Sequence, residues 1–301
     1  AVSAGLCGDD PEPSLLREGL AMWRAVVDDL ADVPGLMIDT LLGVRCQEYR
    51  RDCESIHVWP TDGPAEAMLC WDAALRDADH SLIIAPETDD HLRRLVDALP
   101  PHIQSWNCSP GAVDLCTNKL RLALRLAEQG IPTLSTQPED WSAPPPPDEY
   151  PVVIKPRDGV GSWLVRQVCS PSAWRQVRRE FKSAGHPSAV RQPYVAGRAL
   201  SVAGWFGPAT PFWLPTAEQQ LSEDGCFRYG GGRIPARIDE SVRSAIGELR
   251  QRLATVVPGL FGYVGIDLIS PADTPDQPLD DQLRRLSSLA ADVSLAHVAA
   301  G

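Results

Sequence analysis

Short apolar segments alternate with helical segments along the first hundred residues, and this alternation constrains the fold more than any other feature. Residues 36–42 and 81–85 are apolar runs of strand length, and segments with helical periodicity lie at 65–78 and 90–99. The uninterrupted run at 81–85 is typical of a strand that is buried on both faces. Because strand and helix alternate at this spacing, the sequence predicts an α/β fold with βαβ units and a Rossmann-like domain over residues 1–110.

A run of four prolines, Pro144 to Pro147, separates this region from the rest of the chain. Consecutive prolines form a stiff, extended segment, so the run is typical of a boundary between domains. We therefore expect residues 111–149 to hold a connecting helix over 112–129, ended by Gly130, and a proline-rich linker. A second module is predicted over residues 150–278. Its predicted strands lie at 151–155, 163–168, 189–195, 199–206, 227–232 and 263–269, and its predicted helices at 171–183 and 239–257.

Charge and cysteine content narrow the functional classes. The chain has 28 lysine and arginine residues against 40 aspartate and glutamate residues, a net charge of -12. This balance argues against a general nucleic-acid binder, because phosphate contacts need clustered cations. No apolar run approaches the ~20 residues of a membrane-spanning helix, and no export signal is recognisable. The 8 cysteines are scattered without a CxxC pair, which favours reduced thiols and a cytoplasmic protein of undetermined oligomeric state.

Lysine is rare in this chain, and the positions that keep it are informative. Only Lys119, Lys155 and Lys182 are present, and all other basic residues are arginine. Lys155 ends an apolar strand pattern and precedes a turn with Gly159 and Gly161. A lysine beside such a turn can neutralise a phosphate while backbone N–H groups approach it. The turn lacks the spacing of a Walker loop, so a plain β-hairpin with a glycine turn is the alternative interpretation.

Three further segments have the chemistry of a nucleotide or metal site. Lys119 follows Asn118 at a predicted helix start, where the helix dipole favours anions. The stretch from Gln192 to Val195 is extended, and its backbone groups can pair with the edge of a base. Asp267 lies in an otherwise apolar strand, and a buried carboxylate needs a partner such as a divalent cation.

The order of these segments resembles the ATP-grasp superfamily of carboxylate–amine ligases. The matching segments are Thr117-Asn118-Lys119, Val153-Ile154-Lys155-Pro156, the glycine loop at 158–162, Gln192 to Val195, and Gly265-Ile266-Asp267-Leu268. Within the superfamily, the chain looks most similar to the tyramine–glutamate ligase group that is linked to methanofuran synthesis. That closer similarity rests on the segments 12–19, 84–87, 108–113 and 229–235.

The resemblance implies a Rossmann-like domain followed by a two-lobed ATP-grasp α+β module that binds ATP and magnesium between its lobes. It also implies that an amino-acid-like carboxylate becomes an acyl phosphate, which an amine then attacks. Such an attack on the γ-phosphorus needs cations that screen the repulsion between the two anions. The roles implied by the family are phosphate binding for Lys119, Lys155, Gly159, Gly161 and Ser162, adenine binding for Gln192, Pro193, Tyr194 and Val195, magnesium binding for Asp267, and stabilisation of the intermediate for Arg233.

Two departures from the family pattern are visible. The segment after Gly197 offers no acidic residue for the ribose hydroxyls. The family completes its magnesium site with a Glu-x-Asn pair on a strand after Asp267, and no such pair occurs here. Residues 279–301 have the pattern of a polar helix, which indicates an atypical, truncated or out-of-frame tail. Asp280 or Asp281 is the substitute ligand that this tail offers.

These features leave three functional hypotheses. The first is an ATP-dependent ligase that acts on small molecules, for example glutamate with tyramine or a related amine. The second is a nucleotide-binding but catalytically impaired ATP-grasp fragment, which lacks the second metal-ligand strand and leaves the edge of strand 263–269 unpaired. The third is an α/β binding protein whose glycine turn is only a hairpin.

Overall fold

A computed structural model of the chain describes residues 1–6, 13–159 and 161–271, together with the backbone of residues 290–295. The residues group into two compact units, the first spanning Ala1–Pro110 and the second Gly111–Leu295. In the first unit the strands form two parallel pairs, whereas the second contains two larger sheets. Among the described residues, no helix has the length and apolar character that crossing a bilayer requires.

The first unit is built from short parallel strands and helices. In chain order its elements are α1 (Pro13–Ala31), β1 (Ile38–Gly43), β2 (Ile56–Thr61), α2 (Pro64–Ala74), β3 (His80–Ser81), α3 (His91–Asp97) and β4 (Gln104–Ser105). β1 and β2 are parallel and pair along their full length, although the sequence analysis did not predict β2. Because side chains alternate along a strand, Leu42 and Val58 lie in one core cluster with Trp23 of α1. A Rossmann-like topology for residues 1–110 stays a prediction.

The strand predicted over residues 81–85 is wrong beyond its first residue, since β3 ends at Ser81. Further along, the side chain of Asn107 takes the place of a neighbouring strand. Its Oδ1 accepts from the N–H of Ile83 at 2.8 Å, and its Nδ2 donates to the carbonyl of Ile83 at 2.7 Å. Ile83 is buried, so both backbone groups need partners, and one amide side chain supplies them. The apolar run is therefore buried without being a strand.

The second unit begins with two helices where the sequence predicts one over residues 112–129. These are α4 (Pro110–Thr117) and α5 (Lys119–Glu128). The break lies at Asn118, which has an extended backbone and caps the first turn of α5 with its side-chain oxygen. Hydrophobic periodicity continues across the cap, which is why the sequence resembles a single helix. Gly130 follows α5 in the left-handed conformation, with φ of 61°, as predicted for the helix end.

A four-stranded sheet and one helix form the first lobe of the second unit. Its elements are β5 (Gln137–Pro138), β6 (Val152–Pro156), β7 (Arg166–Val168), α6 (Pro171–Ser183) and β8 (Ala189–Pro193), and the antiparallel strands lie in the order β5-β8-β6-β7. The apolar stripe of α6, made of Trp174, Val177 and Phe181, packs on this sheet. β7 is shorter than the predicted strand at 163–168, because the positive φ of Leu164 (55°) interrupts the extended backbone.

A six-stranded sheet and α7 form the second lobe. Its elements are β9 (Gly197–Phe206), β10 (Phe212–Trp213), β11 (Ala217–Leu221), β12 (Tyr229–Arg233), α7 (Glu240–Val256), β13 (Gly262–Pro271) and β14 (Ala290–Leu295). The strands lie in the order β12-β11-β9-β13-β14, with β10 beside β9. Ile246 and Leu253 belong to the buried stripe of α7. Burial alternates along β9 and β13, so one face of the sheet is apolar.

The polar helix predicted for the tail is wrong for residues 290–295, which form β14. This strand is antiparallel to β13, from Val264 opposite Leu295 to Ile269 opposite Ala290. The edge of β13 is therefore not unpaired, because β14 takes up its backbone hydrogen-bonding groups. Asp280 and Asp281 lie outside the described residues.

Candidate active site

The sheet of the second lobe has one covered face and one open face. On β13, Val264, Ile266 and Leu268 are at most 2% exposed, whereas Asp267 is exposed. Since successive side chains point to opposite faces, Asp267 lies on the open face. The strand was predicted correctly, but the prediction that Asp267 is buried is wrong. Its carboxylate lies on a surface that a ligand can reach.

The side chain of Gln219 orients the Asp267 carboxylate. Its Nε2 on β11 donates to Oδ1 of Asp267 at 3.0 Å, across the strand β9 that separates them. Ser201 of β9 is in register with Asp267. Burial, together with the negative charge of Asp267, raises the pKa of Tyr263 further along β13. The contact between Gln219 and Asp267 depends on the strand order, so the sequence alone leaves residues 218–220 open as either a substrate contact or a solvated loop.

β14 adds a second acidic residue to this row. The register places Asp292 directly opposite Asp267. The sequence analysis missed Asp292 because it lies in the tail that has a polar-helix pattern. Like charges in opposed positions destabilise a sheet unless a proton or cation compensates them. Among the side chains that the structure describes, no group of three His, Cys, Asp or Glu residues is arranged to hold a metal.

Lys155 lies on the face of the first lobe's sheet that points away from α6. Its neighbour Ile154 is fully buried in the cluster with α6, as is Val152, so alternation places Lys155 on the other face. Gln192 shares that face through its pairing with Val153. The Nε2 of Gln192 donates to Oγ1 of Thr136 at 2.7 Å, so its side chain ties β8 to the segment before β5.

The start of α5 contacts the glycine loop. Both segments were predicted to bind phosphate, and that role stays a prediction. The backbone N–H of Lys119 donates to the carbonyl of Arg157 at 3.0 Å, and its Nζ donates to the carbonyl of Gly159 at 2.9 Å. Nε of Arg157 also donates to Oδ1 of Asn118 at 3.0 Å. Three hydrogen bonds thus join residues 118 and 119, at the start of α5, to residues 157 and 159, although about forty residues separate the two segments.

The glycine loop turns through a series of left-handed residues. The φ angle is 116° at Gly159, 67° at Gly161 and 59° at Ser162. Glycine adopts these values at no steric cost, and serine does so only when other contacts hold it. Here Oγ of Ser162 donates to the carbonyl of Phe227 at 2.7 Å. Turns with alternating backbone handedness can direct N–H groups into a concave anion-binding surface.

The predicted adenine-binding segment runs from Gln192 to Val195. It begins in β8 and leads toward β9, and it therefore joins the two lobes. The N–H of Tyr194 donates to the carbonyl of Pro151 at 3.0 Å. The ring of Tyr194 stacks on Phe227, with ring centroids 6.2 Å apart and planes inclined by 27°. The sequence analysis missed Phe227, since nothing in its surroundings distinguishes it from a packing residue.

Arg233 lies apart from Asp267. It ends β12 in register with Glu218, which in turn pairs with Leu200 on the covered face of the sheet. Nε of Arg198 donates to Oε1 of Glu218 at 3.0 Å. The hydrogen bond from Arg198 lowers the pKa of Glu218, and the charge of Arg233 adds to this effect. The structure thus groups Arg233 with Glu218 and Arg198, and its role toward an intermediate stays a prediction.

Comparison with known families accounts for this arrangement. A sequence model of the ATP-grasp domain matches residues 116–278. This chain belongs to the ATP-grasp family. The match begins just before Lys119 of the ATP-grasp domain and extends past Asp267. No curated protein sequence matches the chain.

Solved structures share the ATP-grasp fold of this chain. An ATP-grasp superfamily protein from Archaeoglobus fulgidus is 23% identical with a TM-score of 0.65, covering 92% of this chain and 76% of that chain. D-alanine–D-alanine ligase from Bacillus anthracis, complexed with ATP, is 14% identical with a TM-score of 0.60, covering 86% of each chain. N5-carboxyaminoimidazole synthetase from Staphylococcus aureus is 12% identical with a TM-score of 0.62, covering 95% and 69%. At these identities the comparisons show the fold alone, and the closer resemblance to tyramine–glutamate ligases is not confirmed.

The open faces of the two ATP-grasp lobes differ in charge. The first lobe presents Lys155, and Lys119 lies against its glycine loop. The second lobe presents Asp267, with Asp292 at the opposed position. Cations of this kind hold phosphate groups, and carboxylates can hold a divalent metal ion. The arrangement therefore suits a metal-bound polyphosphate.

Proposed function

We propose that this chain is an ATP-dependent ligase that converts a carboxylate into an acyl phosphate and joins it to an amine. The observation that carries this proposal is the contact of Lys119 Nζ with Gly159 inside an ATP-grasp fold. It brings one of the chain's three lysines onto the glycine loop, and Lys155 lies on the same lobe. A carboxylate can attack the γ-phosphorus only where cations screen the repulsion, which these two lysines supply.

Asp267 and Asp292 are the residues that we infer would hold magnesium. Carboxylate oxygens are the ligands that magnesium prefers, and the register puts two aspartates at opposed positions of neighbouring strands. A bound magnesium ion would neutralise charge on the β- and γ-phosphates. Gln219 keeps one oxygen of Asp267 in a fixed direction, and the hydrogen bond from Ser162 to Phe227 holds the glycine loop that would contact the phosphates.

For the substrates, we propose glutamate as the carboxylate and tyramine or a related amine as the nucleophile, with the reaction in the cytoplasm. The sequence similarity over 229–235 supports this choice. In the structure that segment includes β12, where Gly232 pairs with Gln219 on the side of the sheet that carries Asp267. A substrate bound along this glycine-rich edge would lie next to the acidic row.

Nucleotide binding without ligation is a second candidate function. The position of Arg233 favours it, because this arginine lies beside Glu218 and not beside Asp267. A site without a cation near the developing negative charge binds nucleotide but stabilises the transition state poorly.

The release of ADP distinguishes the two functions. We expect sustained release of ADP when glutamate and tyramine are both present, none without glutamate, and at most about one ADP per enzyme without tyramine, because the acyl phosphate forms before the amine attacks. A panel of other carboxylates and amines tests the choice of substrates separately from the reaction type. Lys182→Ala is the control, since Lys182 is an exposed lysine in the last turn of α6. Nucleotide binding without any ADP release across the panel would contradict the ligase and support the second function.

A further inference from the structure

Aromatic side chains form an exposed patch on the open face of the second lobe's sheet. The register places Trp205 of β9 opposite Phe212 of β10 and opposite Tyr263 of β13, and opposed residues share a face of a sheet. Trp205 is 43% exposed, Phe212 is 68% exposed and Tyr263 is partly buried. Tyr263 and Asp267 are an even number of residues apart on β13, so this aromatic patch lies on the face that carries Asp267.

The core of the lobe does not need these three rings. On the covered face, Trp213 packs edge-on against Phe206 with ring centroids 5.3 Å apart, and the guanidinium of Arg250 lies 5.2 Å from the ring centroid of Trp213. Trp213 also fills the space beside Gly204, where an added Cβ would meet its ring at 2.7 Å. β10 therefore turns Trp213 into the core and leaves its neighbour Phe212 outside. A group of exposed rings beside polar residues is typical of a ligand-binding surface.

Two small residues separate the aromatic patch from Asp267. Gly265 and Ala203 are in register with each other, and they lie between the row of Asp267 and the row of Tyr263. Together they contribute only the methyl group of alanine to the open face, whereas the rows on either side carry longer side chains. At a rise of about 3.3 Å per residue, the Cα atoms of Asp267 and Tyr263 are about 13 Å apart. The face is therefore recessed between a carboxylate at one end and aromatic rings at the other.

The two ends of this recess suit different parts of an amine that carries an aromatic ring. Burial raises the pKa of Tyr263, and the negative charge of Asp267 raises it further, so the carboxylate acts electrostatically across the recess. An ammonium group is attracted to the Asp267 end. This attraction remains when nucleotide is bound, because a triphosphate carries more negative charge than one magnesium ion neutralises. An aryl group gains stacking and edge-to-face contacts with the rings at the other end. An arylalkylamine meets both requirements at once.

We propose that the aromatic patch forms the subsite for the aryl group of the amine substrate, with Trp205 at its centre as the residue that determines specificity. The ring of the amine lies over Ala203 and Gly265, and its nitrogen points toward the Asp267 end of the recess. This inference rests on the proposed function, because it takes Asp267 as the place where the metal-bound γ-phosphate and the acyl phosphate lie. It deepens that function by assigning the choice of amine to named residues of β9, β10 and β13.

The first test measures ADP release by the full chain at saturating ATP and carboxylate, with phenethylamine or the ringless propylamine as the amine. In the wild type, we expect the KM for phenethylamine to be about tenfold lower than that for propylamine. Trp205→Ala and Phe212→Ala should each raise only the KM for phenethylamine, by about tenfold, the scale of one aromatic contact. Phe212 is so exposed that its removal should not affect folding. Leu124→Ala is the matched control, since Leu124 is an exposed apolar residue on α5, which hydrogen-bonds to the end of α7.

Binding of phenethylamine in the presence of a non-hydrolysable ATP analogue supplies a readout that needs no turnover. Saturation-transfer NMR should show contact with the ring protons of phenethylamine in the wild type and in Leu124→Ala, and a much weaker signal in Trp205→Ala. Equal ring signals in all three proteins would overturn the subsite.

The two readouts separate the subsite from the ligase reaction. ADP release with equal KM values for phenethylamine and propylamine would overturn the subsite and leave the ligase standing. Ring contact that depends on Trp205, without any ADP release, would support the subsite and contradict the ligase. A change of oligomeric state in Trp205→Ala with no change in ring contact would overturn the subsite as well, and would show that the patch joins two copies of the chain.

Discussion

The strand around Lys155 fixes the face of the sheet to which its side chain points. The two apolar neighbours before it are packed on either side of the strand, so it cannot turn toward α6 without leaving the sheet register. It is held on the open face of the first lobe, where a compact point charge suits a phosphate. Arginine, which replaces lysine at nearly all other basic positions, would present a broad planar group instead.

We expect Lys155→Ala to weaken the binding of a non-hydrolysable ATP analogue by about 2–4 kcal/mol, the scale of a lost charge-assisted contact. Calorimetric titration measures this directly. Lys182→Ala removes the same charge from the end of α6 and should leave the affinity unchanged. Equal affinities in the wild type and Lys155→Ala would show that Lys155 does not bind phosphate.

Substituting Asp292 tests whether this residue, or Asp280 or Asp281 instead, is the second ligand of the metal ion. Removing one of two carboxylate ligands should weaken Mn²⁺ binding at least about tenfold, because remaining ligands cannot replace its charge. We therefore expect Asp292→Asn and Asp267→Asn to lose affinity for Mn²⁺, measured by electron paramagnetic resonance with an ATP analogue present. Asp281→Asn is the control, since the tail sequence alone favours Asp280 or Asp281. A loss in Asp281→Asn and none in Asp292→Asn would reverse the assignment.

At the scale of elements, the break between α4 and α5 positions Lys119. Asn118 uses one oxygen for two purposes, capping α5 through the N–H of Arg121 at 3.1 Å and accepting from Arg157 at 3.0 Å. A continuous helix would remove the cap and direct Lys119 along a different axis. The short turn therefore joins the helix start to the strand end that leads into the glycine loop.

Asn118→Ala should lower the free energy of unfolding by about 1 kcal/mol, the usual cost of a lost N-cap. Asn118→Asp keeps an equally good capping oxygen and adds a charge for Arg157, so its stability should match or exceed that of the wild type. Urea unfolding followed by circular dichroism measures both. If the alanine and aspartate variants unfolded at the same urea concentration, the cap would contribute nothing.

At the scale of the whole molecule, β14 determines how the second lobe ends. The ATP-grasp sequence match stops at residue 278, yet the sheet continues through residues 290–295. Without β14, the backbone groups of β13 from Val264 to Ile269 would face solvent. An unpaired edge of this length is a template for association with other chains.

A chain that ends at residue 278 should therefore unfold at a lower temperature than a chain that ends at residue 295, and should form more aggregate. Differential scanning fluorimetry and size-exclusion chromatography compare the two forms. The form ending at 295 serves as the control, because it keeps β14 while the last residues are removed. Identical melting temperatures and elution profiles would show that β14 does not stabilise the sheet.

The sequence alone predicts those helices and turns whose backbone depends on residues that are adjacent in the chain. The apolar stripe at 171–183 predicts α6 with its observed bounds, and the left-handed Gly130 ends α5 where glycine is needed. The ATP-grasp fold was predicted from a resemblance to a known family, which rests on the order of the lysine, glycine and aspartate motifs along the chain. These predictions succeed where a few adjacent residues fix the backbone.

Only the tertiary structure decided which side chains share a face. The burial of Asp267 was predicted wrongly because an apolar strand does not reveal which of its faces is covered. The strand order β11-β9-β13-β14 brings Gln219 to Asp267 and puts Asp292 at the opposed position of the neighbouring strand. The register also separates Arg233 from Asp267. Arg233 is in register with Glu218, and Glu218 points to the opposite face of the sheet from its neighbour Gln219. Strand order and register arise from pairing between distant segments, and no local pattern in the sequence encodes them.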